Sequence, residues 1–370
     1  MIIRFLTQKD ISEHDKVTSQ AFTYACDVGD PHSVLPCEKV LGAFDENNQT
    51  LFADLEILDR ACHYDGGVLT CAAIGGVAAK PEYRGKGAVK ALFDFVFRKT
   101  DYDISILYPF SEEYYRKLGY ERTGYSLQVT VPFSAISKIK RNNDVTLYEG
   151  NNTEQLLSLY NRCARKYNLS FVRTSPELFS VQPYLSQKYT YIWKSNALAC
   201  IQIDREKSTV FVEEIYFDSC ESMLGILGFL RNFESNQNHI CFQNIPEGSP
   251  LLHFIQDFKK CEIRLRNTGS ARILNFERVL KAHRYPSGSG EFVVRIEKDV
   301  FKVSFSDGSV KVEKNDSYVP DAVMDVSAAS KLLLCGFRDA EYIPGLVIFN
   351  PESRFLDSFP PRTAFYTDPF

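Results

Sequence analysis

The sequence predicts a mixed α/β chain in three units: two sheets carrying helices in the same element order, then a smaller α+β unit. Three observations carry that expectation. A strand, a Gly-rich basic turn and a helix follow one another over residues 77–97. The same alternation of strands and helices returns over residues 132–267 with different residues. At Thr268-Gly269-Ser270 the pattern breaks, and Ala271-Arg272-Ile273-Leu274 begins something new. The expected boundaries are therefore 1–131, 132–267 and 268–370.

Composition bounds what such a chain does. Its 370 residues, 44% apolar, suffice for two or three ordinary cores. A net charge of -4 and a pI of about 6.0 leave no basic footprint for nucleic acid or an anionic membrane. No run has the length of a membrane span, and residues 1–10 lack the apolar stretch of a signal peptide. The ten cysteines are scattered, with no Cys-x-x-Cys pair and no His at ligand spacing. Most stand among apolar neighbours and read as buried, reduced thiols. The expectation is a cytoplasmic, metal-free protein.

In the first unit, residues 2–5 read as a short strand, and Thr7 with Asp10 as the cap of a helix running toward Phe22. Strands are expected over 40–44 and 51–58, with a hairpin tip at Asp65-Gly66-Gly67. The strand over 69–79 then feeds Lys80-Pro81-Glu82-Tyr83-Arg84-Gly85-Lys86-Gly87-Ala88. After it, Val89, Leu92, Phe93, Val96 and Phe97 mark one face of a helix. Unpaired N–H groups and the positive end of the dipole lie at such a helix start. Two glycines admit a phosphorylated ligand to the backbone, and Arg84 and Lys86 add positive charge, so the turn is a candidate diphosphate cradle. It lacks the Gly-Lys-Ser/Thr ending of a Walker loop and the third glycine of a dinucleotide fingerprint. Beyond it come a strand over 104–108 and a helix capped by Ser111 that stops at Gly119. Residues 126–131 return as a strand.

Two stretches carry a family resemblance. Arg84-Gly85-Lys86-Gly87 is similar to the acyl-CoA loop of the Gcn5-related N-acetyltransferases (the GNAT family), with Val89 departing from the Gly or Ala of that pattern. Tyr114-Tyr115-Arg116-Lys117-Leu118-Gly119-Tyr120 resembles the segment that closes the GNAT fold. The resemblance implies acetyl-CoA as cosubstrate. Its diphosphate would lie on Arg84, Gly85, Lys86, Gly87 and Ala88, and its pantetheine arm along Val77, Ala78 and Ala79. Tyr115 would protonate the departing thiolate, since a phenol with pKa near 10 is protonated at neutral pH. The plainer reading of Tyr115 is a ring that packs the sheet.

In the second unit, Thr153 opens a helix; strands follow over 189–193, 198–203 and 210–217, then a helix over 221–233 and a strand over 240–242. Pro250 is expected to start another helix, and 262–265 a last strand. At the place of the cradle stands Asp218-Ser219-Cys220-Glu221, whose carboxylates suit a helix dipole and repel a diphosphate. One unit should hold CoA and the other should not.

The third unit shows strands over 292–296, 300–305 and 310–312, and a helix capped by Ser327 that stops at Gly336. Tandem GNAT units followed by such a unit resemble the enhanced intracellular survival (Eis) acetyltransferases, whose third domain is sterol carrier protein-like. That resemblance implies a homo-hexamer and small-molecule amine acceptors such as aminoglycosides or polyamines. It also implies that the α-carboxylate of Phe370 takes the amine proton; the plainer reading is a tail that only packs into a groove. Asp27, Asp30 and Asp368 are candidates to attract a cationic acceptor, or else solvated acids. A non-catalytic acyl-CoA sensor and a long-chain acyltransferase stay open beside amine acetylation.

Overall fold

The computed structural model describes residues 1–22, 37–175, 188–256, 258–336 and 342–368. The leading segment forms β1 (Ile2–Phe5), α1 (Ile11–Ala21), β2 (Val40–Phe44), β3 (Leu51–Tyr64), β4 (Gly67–Ala79), α2 (Ala88–Lys99), β5 (Ile104–Leu107), α3 (Glu112–Arg116) and β6 (Glu121–Arg122). Next come β7 (Tyr125–Pro132), β8 (Val145–Leu147), α4 (Thr153–Ala164), β9 (Lys188–Trp193), β10 (Ala197–Asp204), β11 (Thr209–Phe217), α5 (Cys220–Leu230), β12 (His239–Pro246) and β13 (Glu262–Asn267). The last segment contributes β14 (Ser270–Ile273), α6 (Phe276–Ala282), β15 (Ser289–Ile296), β16 (Asp299–Ser306), β17 (Ser309–Lys314), β18 (Ala322–Met324), α7 (Val326–Cys335) and β19 (Leu346–Ile348).

Three sheets result. The first runs β1-β2-β3-β4-β5-β14-β6, the second β13-β7-β12-β11-β10-β9-β8, and the third β17-β16-β15-β18-β19. In each of the first two, one parallel pair (β4 with β5, β11 with β12) is joined through a helix. The strand over 126–131 forms as expected but pairs with β12 and β13, in the second sheet. The segment beginning at Ala271 is not the start of a new sheet: β14 lies between β5 and β6 in the first. The second sheet is thus built from one continuous run, β7 to β13, while the first takes β14 from beyond that run. A four-residue strand carries no mark of its distant partner, so no local pattern announces this.

Local chemistry sets most element ends. Thr7 and Asp10 form a capping box, closing a single 3-10 turn ahead of α1. The β3–β4 hairpin turns at Asp65 and Gly66, with φ of 47° and 89°. Two expectations need correction. Pro250 starts only a 3-10 turn (Pro250–Phe254). The helix read as capped by Ser327 is capped by Asp325, whose Oδ1 accepts from the Ala328 N–H at 2.7 Å. Helix α6 and strands β18 and β19 carry no periodic apolar pattern long enough to read. Among the described residues no cysteine is bridged, and Cys220 is exposed. Nor is any described helix long and apolar enough to cross a membrane.

The first sheet is covered on both faces. Leu92, Phe93 and Val96 of α2 pack against Leu41, Leu55, Ala72 and Ile74. On the other face Cys71, Ala73, Ile104 and Ile106 share a core with Val279, Leu332 and Leu333 of the last segment. The hairpin tip locks this seam. Asp65 receives the His283 ring at 3.0 Å, Arg362 Nε at 2.6 Å and the Arg284 N–H at 2.9 Å, and Tyr64 Oη donates to the Leu333 carbonyl at 2.7 Å. Burial by itself would raise the Asp65 carboxyl, but His283 and Arg362 hold it well below the usual carboxylate range. A carboxyl depressed in the folded state contributes stability above its unfolded value and loses it as pH falls through its folded one. Asp65→Asn should lower unfolding free energy at pH 7 by about 3 kcal/mol. In urea titrations that gap should narrow once pH drops below about 4.

Candidate active site

The site begins where a ladder stops. β4 pairs with β5 only from Cys71 with Ile104 to Ile74 with Leu107. β4 runs on to Ala79 while β5 ends, so among the described residues 77–79 have no strand partner on that side. A register shift between Asp54 and Glu56 and a positive φ of 54° at Gly76 bend β4 at the same point. The Glu56 side chain crosses Gly76 so closely that a Cβ there would meet its Cδ at 2.7 Å. Two contacts fix α1 against this bend: the ion pair of Lys80 with Glu13 at 2.7 Å, and a hydrogen bond between His14 Nδ1 and the fully buried Asp54 at 2.8 Å.

The chain then makes a 3-10 turn (Pro81–Tyr83), whose Tyr83 ring stacks on Phe52 at 4.1 Å. Gly85 and Gly87 take φ of 76° and 81°. A Cβ at either would meet nothing within 4 Å, so backbone conformation and not crowding calls for glycine here. Gly87 occupies the N-cap of α2, and no side chain caps that helix. Its first N–H groups are left for a ligand or water. Among the described residues neither Arg84 nor Lys86 has a carboxylate partner; Lys86 Nζ lies 4.7 Å from the Tyr83 ring centre.

These parts border one cavity of about 750 Å³. It is lined by Val77, Ala78, Ala79, Arg84, Gly85, Gly87 and Ala88, all expected from the sequence. Lys86 stands outside the lining. Ala21, Phe22, Tyr83, Val89, Lys90, Phe110 and Tyr114 complete it and were not foreseen as site residues. Val89 and Lys90 simply continue the first helical turn, and the aromatic run beside Tyr115 was the signal for Phe110 and Tyr114.

Tyr115 sits behind that wall. Ser111 caps α3, Gly119 ends it at a φ of 80°, and the Tyr115 carbonyl accepts from the N–H groups of Leu118 and Tyr120. Its ring packs edge-on against Phe110 and Tyr114, each at 5.3 Å, and against Phe93 at 5.9 Å. Burial, and then the neighbouring Tyr114, push its phenol well above the ordinary value, so it carries a proton at neutral pH. Among the described residues its hydroxyl has no hydrogen-bond partner.

The second sheet repeats the splay but caps its helix start. β11 pairs with β12 only over Thr209 to Val212 and continues to Phe217. There Ser219 caps α5 through a capping box, and Asp218 pairs with Arg162 at 2.9 Å. The helix start left open in one unit is filled by side chains in the other.

Asp368, the third acid proposed from the sequence, is buried in an ion pair with Arg173. Its carbonyl accepts from Tyr108 Oη at 2.8 Å, just past the end of β5. Upstream, Tyr366 lies against Gly269, where a Cβ would meet its hydroxyl at 2.7 Å, and Ser170 Oγ donates to the Phe365 carbonyl at 2.6 Å. Asp27, Asp30 and Phe370 lie outside the described residues.

Residues 2–123 match the family model described as an acetyltransferase (GNAT) domain. No curated protein sequence matches the chain. Among solved structures it is similar to a GCN5-related N-acetyltransferase from Anabaena variabilis, at 20% identity and a TM-score of 0.87 over 100% of both chains. A probable N-acyltransferase from Enterococcus faecalis gives 16% identity and a TM-score of 0.86, over 100% of this chain and 99% of that one. Eis1 from Mycobacterium abscessus gives 19% and 0.79 over 100% of both. These likenesses extend the shared fold beyond the matched domain to the whole chain. The splayed strand, the uncapped basic turn and the family match therefore agree that this chain is an acetyltransferase whose leading domain belongs to the GNAT family.

Proposed function

We propose that the chain transfers the acetyl group of acetyl-CoA to an amine of a small molecule, with the first unit catalytic and the second a degenerate copy. The observation that carries this reading is the single cavity shared by the uncapped start of α2, Arg84 and the unpartnered edge of β4. Backbone N–H groups and Arg84 would hold the diphosphate, with Lys86 adding charge from outside the lining. The free edge at residues 77–79 would carry the pantetheine arm and polarise the thioester carbonyl. The amine nitrogen attacks that carbon, the C–S bond breaks, and Tyr115 gives its proton to the leaving thiolate. We assign the amine proton to the α-carboxylate of Phe370. Support for this comes from the tail, which Tyr108 and Arg173 hold as far as Asp368. In this reading the third unit, sterol carrier protein-like by resemblance, serves to deliver that tail. Asp27 and Asp30 would draw cationic acceptors, while Asp368 anchors the tail.

Arg84→Ala combined with Lys86→Ala should raise KM for acetyl-CoA by about 10–100-fold with kcat little changed, in steady-state thiol-release assays. High salt should shrink the difference. Tyr115→Phe should lower kcat about 100-fold and leave CoA affinity intact, as measured by calorimetry. An enzyme that binds acetyl-CoA but consumes none with a broad amine panel would refute transfer and favour a sensor.

A further inference from the structure

The second unit keeps a cavity where its parallel pair parts, although its helix start is capped. β11 pairs with β12 as far as Val212 and Phe242, and β12 then shifts its register on β7 before Ile245. The wedge that opens there has a volume of about 310 Å³. Tyr167, Phe217, Met223, Ile245, Phe254 and Phe365 make its walls apolar and largely aromatic. Well-packed interiors hold few voids larger than a water, so a space of this size fits a ligand. At about 30 Å³ for each water-sized group, it admits about ten heavy atoms.

The polar side chains at the helix start are already engaged. Asp218 pairs with Arg162, and Ser219 accepts from the Ser222 N–H. Ser249, also in the lining, accepts from the Leu251 N–H. A diphosphate has no place here. Two donors in the same lining are not engaged in this way. Tyr216 is only 8% exposed, yet among the described residues its hydroxyl has no hydrogen-bond partner. Burial, and then the neighbouring Glu214, push that phenol well above the ordinary value, so it keeps a proton to donate. Lys166 is exposed at the rim, and among the described residues no carboxylate answers it. An apolar body with a single negative charge matches this set.

We propose that the cavity binds a monocarboxylate with an apolar body, about ten heavy atoms in all, whose carboxylate is answered by Lys166 and Tyr216. The site is apart from the acetyl-CoA cavity and shares no lining residue with it.

Cys220 is exposed and lines the cavity, so it reports on occupancy. Its alkylation by iodoacetamide is followed in the full chain by mass spectrometry. Octanoate and phenylacetate, each of about ten heavy atoms, set a chain against a ring. Calorimetry measures binding independently, and thermal unfolding checks that each variant folds. Near saturation either acid should slow the alkylation about tenfold, and saturating acetyl-CoA should leave it unchanged. Lys166→Ala and Tyr216→Phe should each raise the half-protecting concentration about fivefold. Neither protection nor a calorimetric signal with either acid up to about 1 mM would overturn the proposal. Calorimetric binding with Cys220 unprotected would put the acid elsewhere and overturn it too. Protection undiminished in both variants would overturn the carboxylate assignment. Protection by acetyl-CoA would place the coenzyme in the second unit and overturn the proposal outright.

Discussion

Everything at this site follows from the early end of one parallel ladder. A parallel pair that ran its full length would satisfy the edge of β4 with the edge of β5 and leave no opening. Because pairing stops at Ile74 and Leu107, residues 77–79 line a cavity along an edge that β5 does not cover. The bend at Gly76, with Glu56 lying across it, and the pairs Lys80 with Glu13 and His14 with Asp54 hold the strand in that open position. The turn and the helix start border the gap, and the Tyr115 ring lies behind its Phe110 and Tyr114 wall.

The second sheet shows how few residues separate a bare helix start from a capped one. Both units place a helix start at the end of a splayed parallel pair. In one the N-cap is Gly87, with no side chain to answer the first N–H groups. In the other Ser219 accepts from the Ser222 N–H, and Asp218 sits against Arg162. A hydroxyl stands at the N-cap in place of glycine, and one position before it a carboxylate stands in place of Lys86.

Much of this was legible because it is local. Arg84, Gly85 and Gly87 declare a left-handed turn at a helix start, and Ser111 and Gly119 mark both ends of the helix carrying Tyr115. Thr7 with Asp10 marked the turn that leads into α1. What could not be read depends on residues far apart in the chain. Nothing around Ser270–Ile273 says that it pairs with β5, more than 160 positions earlier. Nothing around Arg173 says that it meets Asp368, 195 positions later. The choice of Asp325 over Ser327 as a cap was a different failure, since both residue types cap well and only the backbone path decides.

The late arrival of β14 bears on how the molecule is made. The leading sheet lacks an inner strand until residue 273 has been synthesised, although every residue lining its cavity is complete by residue 114. During that interval β5 presents an unpaired edge, able to recruit the wrong neighbour. The intervening sheet, by contrast, draws all its strands from one continuous run, β7 to β13. The leading sheet is therefore finished only after the whole of the second has been made.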